Sequence, residues 1–229
     1  ARKNNKVAIF DINGNQISDW FDNIYPEGLV RGQSPYYRAE KDGKVAIIDE
    51  NGNRITQWYD GISTSGLVEG RSKYYKARKG GKYAIFDENG KQISPDWFDR
   101  IWEDGLVKGQ SNLYIAEKNG KYFIFDESGN QISPQWFDRI YSDGLVEGKS
   151  DYYIACNENT CAVYHKNGKK VSDDFSRNYI KKAEKINFNE NLGVVELFNK
   201  NGNLVKTIEF NPVYPFKEEI IDYTKLLNI

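Results

Sequence analysis

Short apolar runs alternate with polar turns along this chain at nearly constant spacing. The clearest copies read KVAIFDINGNQIS, KVAIIDENGNRIT, KYAIFDENGKQIS and KYFIFDESGNQIS, and they begin at Lys6, Lys44, Lys82 and Lys121. Two weaker copies begin at Thr160 and Gly193. Because the runs are short, rich in β-branched and aromatic residues and bounded by turn residues, they predict strands.

A glycine turn separates two strands within each copy, as at Asn51-Gly52 and Asn89-Gly90. Glycine adopts the positive φ that a tight hairpin requires. The aspartate before the turn, such as Asp87, can accept hydrogen bonds from nearby backbone amides. Each unit therefore predicts three antiparallel strands, and the longer connection between units is where a fourth strand would form.

The middle strand of each unit is apolar on both faces. In YAIF, Tyr83 and Ile85 lie on one face and Ala84 and Phe86 on the other, which predicts sheets covered on both sides. Radially stacked β-propeller blades satisfy this requirement. An open superhelical array is the alternative, because the sequence does not show whether a ring closes.

We expect an all-β tandem repeat of about six antiparallel meanders, each with three or four strands. The repeat domain is predicted over 1–211, with units near 1–37, 38–75, 76–114, 115–153, 154–181 and 182–211. In the remaining segment, 212–229, Phe216, Ile220, Tyr223 and Leu227 have helical spacing. This spacing predicts a short C-terminal capping helix, with docking to a partner as the alternative role.

The charge balance bears on possible partners. Lys plus Arg is 32 and Asp plus Glu is 33, a formal net charge of −1 over 229 residues, and the two signs are interspersed. An obligate nucleic-acid or anionic-membrane partner usually requires a clustered basic patch, so neither is expected. The apolar runs are also far shorter than the roughly 20 residues that span a bilayer, so we expect no membrane insertion.

The two cysteines predict a disulfide. Alignment of YIACNENTCAVY with YIAEKNGKYFIF places Cys156 and Cys161 opposite each other across a hairpin, within bonding range. Two buried free thiols are the alternative. A disulfide favours an extracytoplasmic location, either periplasmic, secreted or at the cell surface. The absence of methionine, even at position 1, fits signal-peptide removal or the choice of numbering.

A segment at 144–150, GLVEGKS, is similar to a phosphate-binding P-loop. That motif requires a glycine where Asp143 stands. Related segments, here called the GLV loops, recur at 28–34, 66–72 and 105–111, which indicates a repeated glycine turn instead. Within them one position alternates in charge, and it is predicted to form a ladder of contacts between neighbouring units through Arg31, Glu69, Lys108 and Glu147.

Candidate chemistry is sparse. The only histidine, His165, replaces the hairpin aspartate and is expected to be a surface turn residue. We expect neither a cofactor nor a metal, and we predict that the chain is not an enzyme, because no constellation of different residue types departs from the repeat. An aspartate follows an aromatic residue in every well-formed unit, and backbone capping is its expected role, with calcium binding as the alternative, at Asp22, Asp60, Asp99 and Asp138.

Aromatic residues give the binding hypothesis. One tryptophan per unit is expected to pack as a wedge between units, at Trp20, Trp58, Trp97 and Trp136. Adjacent strand residues point to opposite faces, so one member of each tyrosine pair is expected outside. Such rows could stack on glycan rings or anchor a protein partner, and they comprise Tyr36, Tyr37, Tyr74, Tyr75, Tyr152 and Tyr153.

The unit GGKYAIFDENGKQISPDWFD at 80–99 resembles the bacterial WG-repeat proteins, whose units carry G-K-[WY]-G, I-D and a Y-D pair. The resemblance extends over nearly the whole chain. It departs at the second residue of the WG pair, where this chain has Ala8, Ala46, Ala84 and Phe123 in place of glycine. The resemblance implies tandem all-β repeats in bacterial proteins that are often exported and mostly non-catalytic.

These patterns together favour a non-enzymatic scaffold that binds another protein within a bacterial surface or periplasmic assembly. A carbohydrate-binding module that uses exposed tyrosine rows is one alternative. An inhibitory or toxin-neutralising partner protein is the second alternative, and it would carry a strongly acidic face.

Overall fold

The computed structural model describes residues 1–213, which form six small antiparallel sheets and include one short α-helix. The all-β expectation is confirmed. All but the first two positions of the capping helix expected over 212–229 lie outside the described residues. The helix that the structure does contain, α1 at Arg177–Lys181, follows sheet 5 and was not expected from the sequence.

The sheets are numbered in chain order. Sheet 1 contains β1 (Arg2–Lys3) and β2 (Lys6–Val7). Sheet 2 contains β3 (Asn23–Ile24), β4 (Tyr36–Lys41) and β5 (Lys44–Asp49). Sheet 3 contains β6 (Gly61–Ile62), β7 (Tyr74–Lys79) and β8 (Lys82–Asp87). Sheet 4 contains β9 (Arg100–Ile101), β10 (Leu113–Lys118) and β11 (Lys121–Asp126). Sheet 5 contains β12 (Arg139–Ile140), β13 (Tyr152–Asn157), β14 (Thr160–His165) and β15 (Phe175–Ser176). Sheet 6 contains β16 (Lys185–Asn189), β17 (Val194–Phe198) and β18 (Leu204–Glu209).

Sheet 4 illustrates how each central sheet is built. The two-residue strand β9 pairs with β10, which pairs with β11. After β11, isolated bridges join Phe125 to Gln131 and Tyr122 to Phe137. The connection between units therefore supplies the first strand of the next sheet, while the predicted third strand is reduced to single bridges.

The sheets are consequently offset from the predicted repeat units. The unit ends placed at 37, 75, 114 and 153 fall inside β4, β7, β10 and β13. The physical reason is the pairing of the short strand: β6, for example, pairs forward with β7 and so belongs with the hairpin that follows it.

The tight hairpin turns form as the sequence predicted. Asn119 and Gly120 join β10 to β11 with φ values of 54° and 73°, the positive values that a type I′ turn requires. Glu117 then faces Tyr122 across the hairpin, and Cys156 faces Cys161 in the next sheet. The register read from the sequence is therefore confirmed.

Both faces of the long strands are buried against neighbouring sheets. Ile124 packs in a hydrophobic cluster with Tyr153 of sheet 5, whereas Phe123 and Phe125 pack in a cluster with Tyr74 of sheet 3. Five such clusters lie in succession between the six sheets. The sheets are therefore stacked face to face, as a propeller-like arrangement requires, while closure into a ring stays a prediction.

Candidate binding groove

The repeated aspartates cap the hairpin turns. Asp99 Oδ2 accepts the amide N–H of Asn119 at 2.7 Å, and its other oxygen pairs with Lys82. The lysine bond and then the amide bond lower the pKa of Asp99 below its usual value. The same pairing with a lysine and a turn amide occurs at Asp22, Asp60 and Asp138. This is the backbone-capping role expected of them, and residues 1–213 contain no group of three or more potential metal ligands.

The expected exposure of the tyrosine pairs is wrong. Tyr37 and Tyr153, each the second residue of its pair, are fully buried. Tyr74, Tyr75 and Tyr152 are also buried, and only Tyr36 is half-buried. The reason is that both faces of each strand are covered by neighbouring sheets, so pointing to the opposite face does not bring a side chain to solvent. Five of the six tyrosines are therefore closed to a ligand at the surface, and the half-buried Tyr36 alone does not form a row.

The tryptophans are less buried than a wedge would be. Trp20, Trp58 and Trp97 are half-buried, and Trp136 is 46% exposed. The next aromatic residue in each unit is the buried one, namely Phe21, Tyr59, Phe98 and Phe137. Trp58 and Trp97 still contact rings of the preceding unit, at centroid distances of 6.3 Å from Phe21 and 6.3 Å from Tyr59.

The predicted charge ladder between units is wrong. Glu69 pairs with Arg71 at 3.0 Å, and Lys108 pairs with Asp104 at 2.9 Å, each within its own GLV loop or the residue beside it. Arg31 and Glu147 likewise pair locally, with Glu27 and Lys149. In all four loops the partner lies two or four residues away along the chain, so each charge is paired locally and not with the next unit.

The GLV loop at 144–150 is a structural turn, as expected from its repetition. The amide N–H of Lys149 donates to the Gly144 carbonyl at 2.9 Å, and Lys149 Nζ pairs with Glu147 at 2.5 Å. Gly148 of this loop lies against Gln110 of the preceding GLV loop. A Cβ added at Gly148 would stand 2.4 Å from the Gln110 carbonyl oxygen. The glycines are therefore explained by packing between successive loops.

His165 is buried rather than exposed, with 7% of its surface accessible. Its Nδ1 accepts the amide N–H of Asn167 at 3.3 Å, and its ring lies 5.1 Å from that of Tyr152. Asp126 accepts from Ser128 in the same way one sheet earlier. His165 therefore makes the same turn contact as Asp126. Its imidazole ring is buried because it also packs against the ring of Tyr152.

The described residues do form one surface that departs from the repeat, and we call it the inter-sheet groove. Two adjoining cavities of about 360 and 330 Å³ share Lys76, Tyr83 and Glu103. The groove crosses from sheet 3 to sheet 4 and also includes Arg38 of sheet 2. Its rings are Tyr83 and Trp102, its carboxylates are Glu103 and Asp104, and its cations are Arg38, Lys76, Arg78, Arg100 and Lys108.

Two of the cations are neutralised inside the groove. Lys76 Nζ lies 2.7 Å from Glu103 Oε1, and Lys108 Nζ lies 2.9 Å from Asp104 Oδ1. Burial alone would raise the pKa of Glu103, but hydrogen bonds from Lys76 and from the hydroxyls of Ser65 and Ser63 outweigh it and lower that pKa to about 2. Glu103 is therefore an anion throughout the physiological pH range.

The three arginines are engaged more weakly with carboxylates. Arg78 has no carboxylate within 4 Å among residues 1–213 and donates to the Asp60 carbonyl at 3.3 Å. Arg100 Nε is 4.0 Å from Glu117 Oε2, and its side chain is 70% exposed. Arg38 is more buried, since it donates to the Ile62 carbonyl at 2.6 Å and lies over the Tyr25 ring. The exposed end of the groove therefore carries two available guanidiniums.

Trp102 packs against a cluster formed by Tyr122, Arg139 and Tyr141. Its ring centroid lies 5.2 Å from that of Tyr122, and the Arg139 guanidinium lies 6.0 Å from the Trp102 ring. Arg139 also donates to the Tyr122 hydroxyl at 3.1 Å and lies 5.8 Å from the Tyr141 ring. These contacts restrict the orientation of the half-buried Trp102 ring.

Sequence reasoning missed this groove because Trp102 is the fifth tryptophan and lies outside the once-per-unit row. The sequence nevertheless contained a pattern that could have identified the groove. The position after the D-x-I segment changes from unit to unit, as Tyr25, Ser63, Trp102 and Tyr141, although its neighbours repeat. This change at a single position within a constant frame is the sequence signal that marks the groove.

Comparisons with known proteins show a distant likeness in structure. No family model matches the chain, and no curated protein matches it. Hsv2 of Kluyvelomyces marxianus is similar with a TM-score of 0.41 at 12% identity, over 94% of this chain and 70% of that one. BBS1N, solved in complex with ARL6DN, has a TM-score of 0.34 at 10% identity, over 89% and 71%. A eukaryotic initiation factor has a TM-score of 0.33 at 15% identity, over 84% and 53%. At this level the likeness assigns no function to the chain.

Proposed function

We propose that this chain is a non-enzymatic protein-interaction scaffold, and that the inter-sheet groove receives its partner. The observation that carries the proposal is the groove itself, where fixed rings and exposed guanidiniums lie together on a rigid stack of sheets. Tryptophan, tyrosine and arginine are the residues that most often anchor protein interfaces. Because Trp102 is already held by Tyr122 and Arg139, a partner would pay little ordering entropy on binding.

The chemistry of the groove supports binding rather than catalysis. General acid–base catalysis requires a group with a pKa near the working pH. Glu103 is held as an anion with a pKa of about 2, far from that range. Its carboxylate serves to neutralise Lys76, and Asp104 does the same for Lys108.

The setting we propose is a bacterial surface or periplasmic assembly. The resemblance to WG-repeat proteins supports the bacterial assignment and divergent membership of that family. The disulfide between Cys156 and Cys161 supports an oxidising compartment. No helix within residues 1–213 has the length and apolarity needed to cross a membrane.

A pull-down tests the proposal directly. The purified chain would be used to capture proteins from envelope extracts of its own source, in parallel with the variant Tyr83→Ala/Trp102→Ala. Trp136→Ala is the matched control, because Trp136 is exposed and lies outside the groove. Circular dichroism would establish that all three proteins are folded.

We expect one protein to be captured in stoichiometric amount by the wild-type chain and by the control, and to be lost with the groove variant. Equal capture by the groove variant would remove the groove from the proposal. Saccharide binding with no protein captured would favour the carbohydrate-binding alternative, carried by Tyr83 and Trp102 instead of the buried tyrosine pairs.

A further inference from the structure

We propose that the inter-sheet groove recognises an acidic segment of its partner, a stretch of extended chain that carries Asp or Glu side chains. This inference rests on the proposed function, because it names the chemistry of the protein that the scaffold would hold.

The first support is a local excess of positive charge. The groove is lined by five cationic side chains and only two carboxylates, although the whole chain has 32 basic and 33 acidic residues. Both carboxylates are already paired with lysines. Arg38 lies 3.9 Å from Glu27, so the charge that remains is carried by Arg78 and Arg100, and this end of the groove attracts anions although the molecule as a whole does not.

The second support is the state of Arg78 and Arg100. Both are exposed, and neither forms a close ion pair among residues 1–213. A guanidinium presents a planar fork of donors that matches a carboxylate in two parallel hydrogen bonds. Neither the Arg78 nor the Arg100 guanidinium is bound closely by a carboxylate of this chain. A carboxylate from another chain could therefore bind them without displacing an existing ion pair.

The third support is the spacing that the fold imposes. Arg78 is on β7 of sheet 3, and Arg100 is on β9 of sheet 4. Stacked sheets lie about 10 Å apart. Side chains on one face of an extended strand repeat every ~7 Å, since each residue rises about 3.3 Å. The carboxylates of an extended acidic segment are therefore spaced on the same scale as the two sheets, and the long arginine side chains can take up the remaining difference of about 3 Å.

The rings and the fixed carboxylates restrict the kind of anion. Tyr83 and Trp102 offer apolar contact for the methylene groups and apolar neighbours of a peptide. Because Lys76 and Lys108 are already paired with Glu103 and Asp104, the groove offers two separated guanidiniums rather than the continuous basic surface that a run of phosphates requires. A neutral sugar would leave the guanidiniums without a counter-charge. A peptide with separated carboxylates fits these constraints best.

The test uses fluorescence anisotropy with the intact chain and a fluorescein-labelled octaglutamate peptide at low salt. Octaserine and octalysine with the same label are the comparison probes. The groove variant is Arg78→Gln/Arg100→Gln. The matched control is Arg54→Gln/Lys91→Gln, which also removes two positive charges, from exposed positions at the glycine turns outside the groove.

We expect octaglutamate to bind and the other two peptides not to bind. The groove variant should weaken the octaglutamate Kd at least tenfold, whereas the control variant should change it less than twofold. Raising the salt concentration should weaken binding to the wild-type chain, because the contacts are between exposed charges. Absence of octaglutamate binding, or equal weakening by the two variants, would overturn the inference.

Two further outcomes separate this inference from the proposed function. If the captured partner is lost with Tyr83→Ala/Trp102→Ala but retained by Arg78→Gln/Arg100→Gln, the scaffold function stands and the acidic segment is wrong. If neither variant loses the partner, the groove is not the binding surface and both proposals fail. Tighter binding of a labelled oligonucleotide or oligouronate than of octaglutamate would also overturn the inference, in favour of that polyanion.

Discussion

Gly105 opens the GLV loop of sheet 4 at a point where two backbones nearly touch. Its φ is +83°, and an added Cβ would lie 2.1 Å from the Leu113 carbonyl oxygen and 2.8 Å from that of Val146. Real Cβ atoms do not approach backbone oxygens so closely, and L side chains rarely adopt this φ. The same crowding recurs at Gly28, Gly66 and Gly144, which explains why the loop begins with glycine in every copy.

Replacing Gly105 with alanine should therefore destabilise the fold severely. We expect Gly105→Ala to lower the free energy of unfolding by about 3 kcal/mol or more, through steric overlap and backbone strain. Gly120→Ala is the control, because Gly120 has a φ of +73° but open space around it, and it should lose about 1 kcal/mol. Urea denaturation would measure both, and equal losses would show that close packing is not the reason for the glycine.

Glu103 allows a prediction with a defined pH dependence. Its pKa falls from the ordinary 4.5 to about 2 in the folded chain. A carboxyl with a lowered pKa stabilises the fold fully above its unfolded value, and that contribution is lost as the pH falls through the folded value. Glu103→Gln should thus reduce the free energy of unfolding by about 1–2 kcal/mol at pH 7.

The difference between wild type and Glu103→Gln should shrink below about pH 4.5 and vanish near pH 2. Denaturation series at pH 7, 5, 3 and 2 would measure it. Asp104→Asn is a useful comparison, since Asp104 pairs with a lysine in the same groove. A difference for Glu103→Gln that stays constant with pH would contradict the assigned role of its carboxylate.

Single residues also show where sequence reasoning succeeds. Asp99 and Cys156 were assigned correctly, because their roles depend on partners fixed by a two-residue turn. Tyr75 was misplaced, since a period of two identifies opposite faces but not which face meets solvent. Trp102 was missed, because its importance comes from Tyr122 and Arg139 of neighbouring strands, and no local pattern brings these together.

At the scale of elements, the disulfide strengthens the hairpin formed by β13 and β14. Cys156 and Cys161 are paired across the strands with a Cα separation of 4.0 Å, and both are buried. The bond closes a short loop, for which chain entropy gives a stabilisation of about 2 kcal/mol. Because β15 pairs with β14 and Ile180 of α1 packs in the same cluster as both cysteines, the bond anchors this part of sheet 5.

Removing the disulfide should weaken sheet 5 without changing the groove. We expect Cys156→Ala/Cys161→Ala to lose about 2 kcal/mol of unfolding free energy and to retain wild-type octaglutamate binding. Denaturation and anisotropy on the same samples would measure the two effects. Loss of peptide binding in a variant that remains folded would contradict the placement of the groove in sheets 3 and 4.

The GLV loops connect one sheet to the next through a repeated hydrogen bond. Ser72 Oγ donates to the Val107 carbonyl in the following loop at 2.8 Å. The equivalent bonds join Ser34 to Val68 and Ser111 to Val146, each at 2.6 Å. The final serine of each loop is therefore a connection between units rather than a phosphate ligand.

Truncating one of these serines should loosen the stack. Ser72→Ala is expected to lose about 1–2 kcal/mol of unfolding free energy, because the Val107 carbonyl is left without its partner. Ser128→Ala, in an exposed hairpin turn, should have little effect. Thermal and urea unfolding would compare the two variants. A neutral Ser72→Ala would indicate that the loops are held by backbone packing alone.

The elements were largely predictable, with one instructive exception. The long strands and their turns followed from apolar runs and Asn-Gly pairs, which act over a few residues. The short first strand, such as Gly61–Ile62, was not located. Two residues carry no periodicity. Their pairing with β7 depends on the path of the connection over 63–73, which local patterns do not determine.

At the scale of the whole molecule, stacked sheets create a surface that no single repeat contains. Each long strand contributes alternate side chains to two hydrophobic clusters, so neighbouring sheets are held at fixed positions. The groove forms where the variable residues of sheets 3 and 4 meet across that stack. Stacking was predictable from strands that are apolar on both faces, whereas the groove required the three-dimensional arrangement.

Site-specific photo-crosslinking tests the central claim most directly. A p-benzoylphenylalanine placed at Thr64, which lines the groove, would be compared with one at Asn13, which is exposed in the glycine turn that follows sheet 1. Each protein would be irradiated in envelope extract and the adducts identified by mass spectrometry. We expect a single protein adduct from Thr64, through an acidic peptide of that protein, and none from Asn13. An adduct from Asn13 with none from Thr64 would contradict the groove as the site of partner binding.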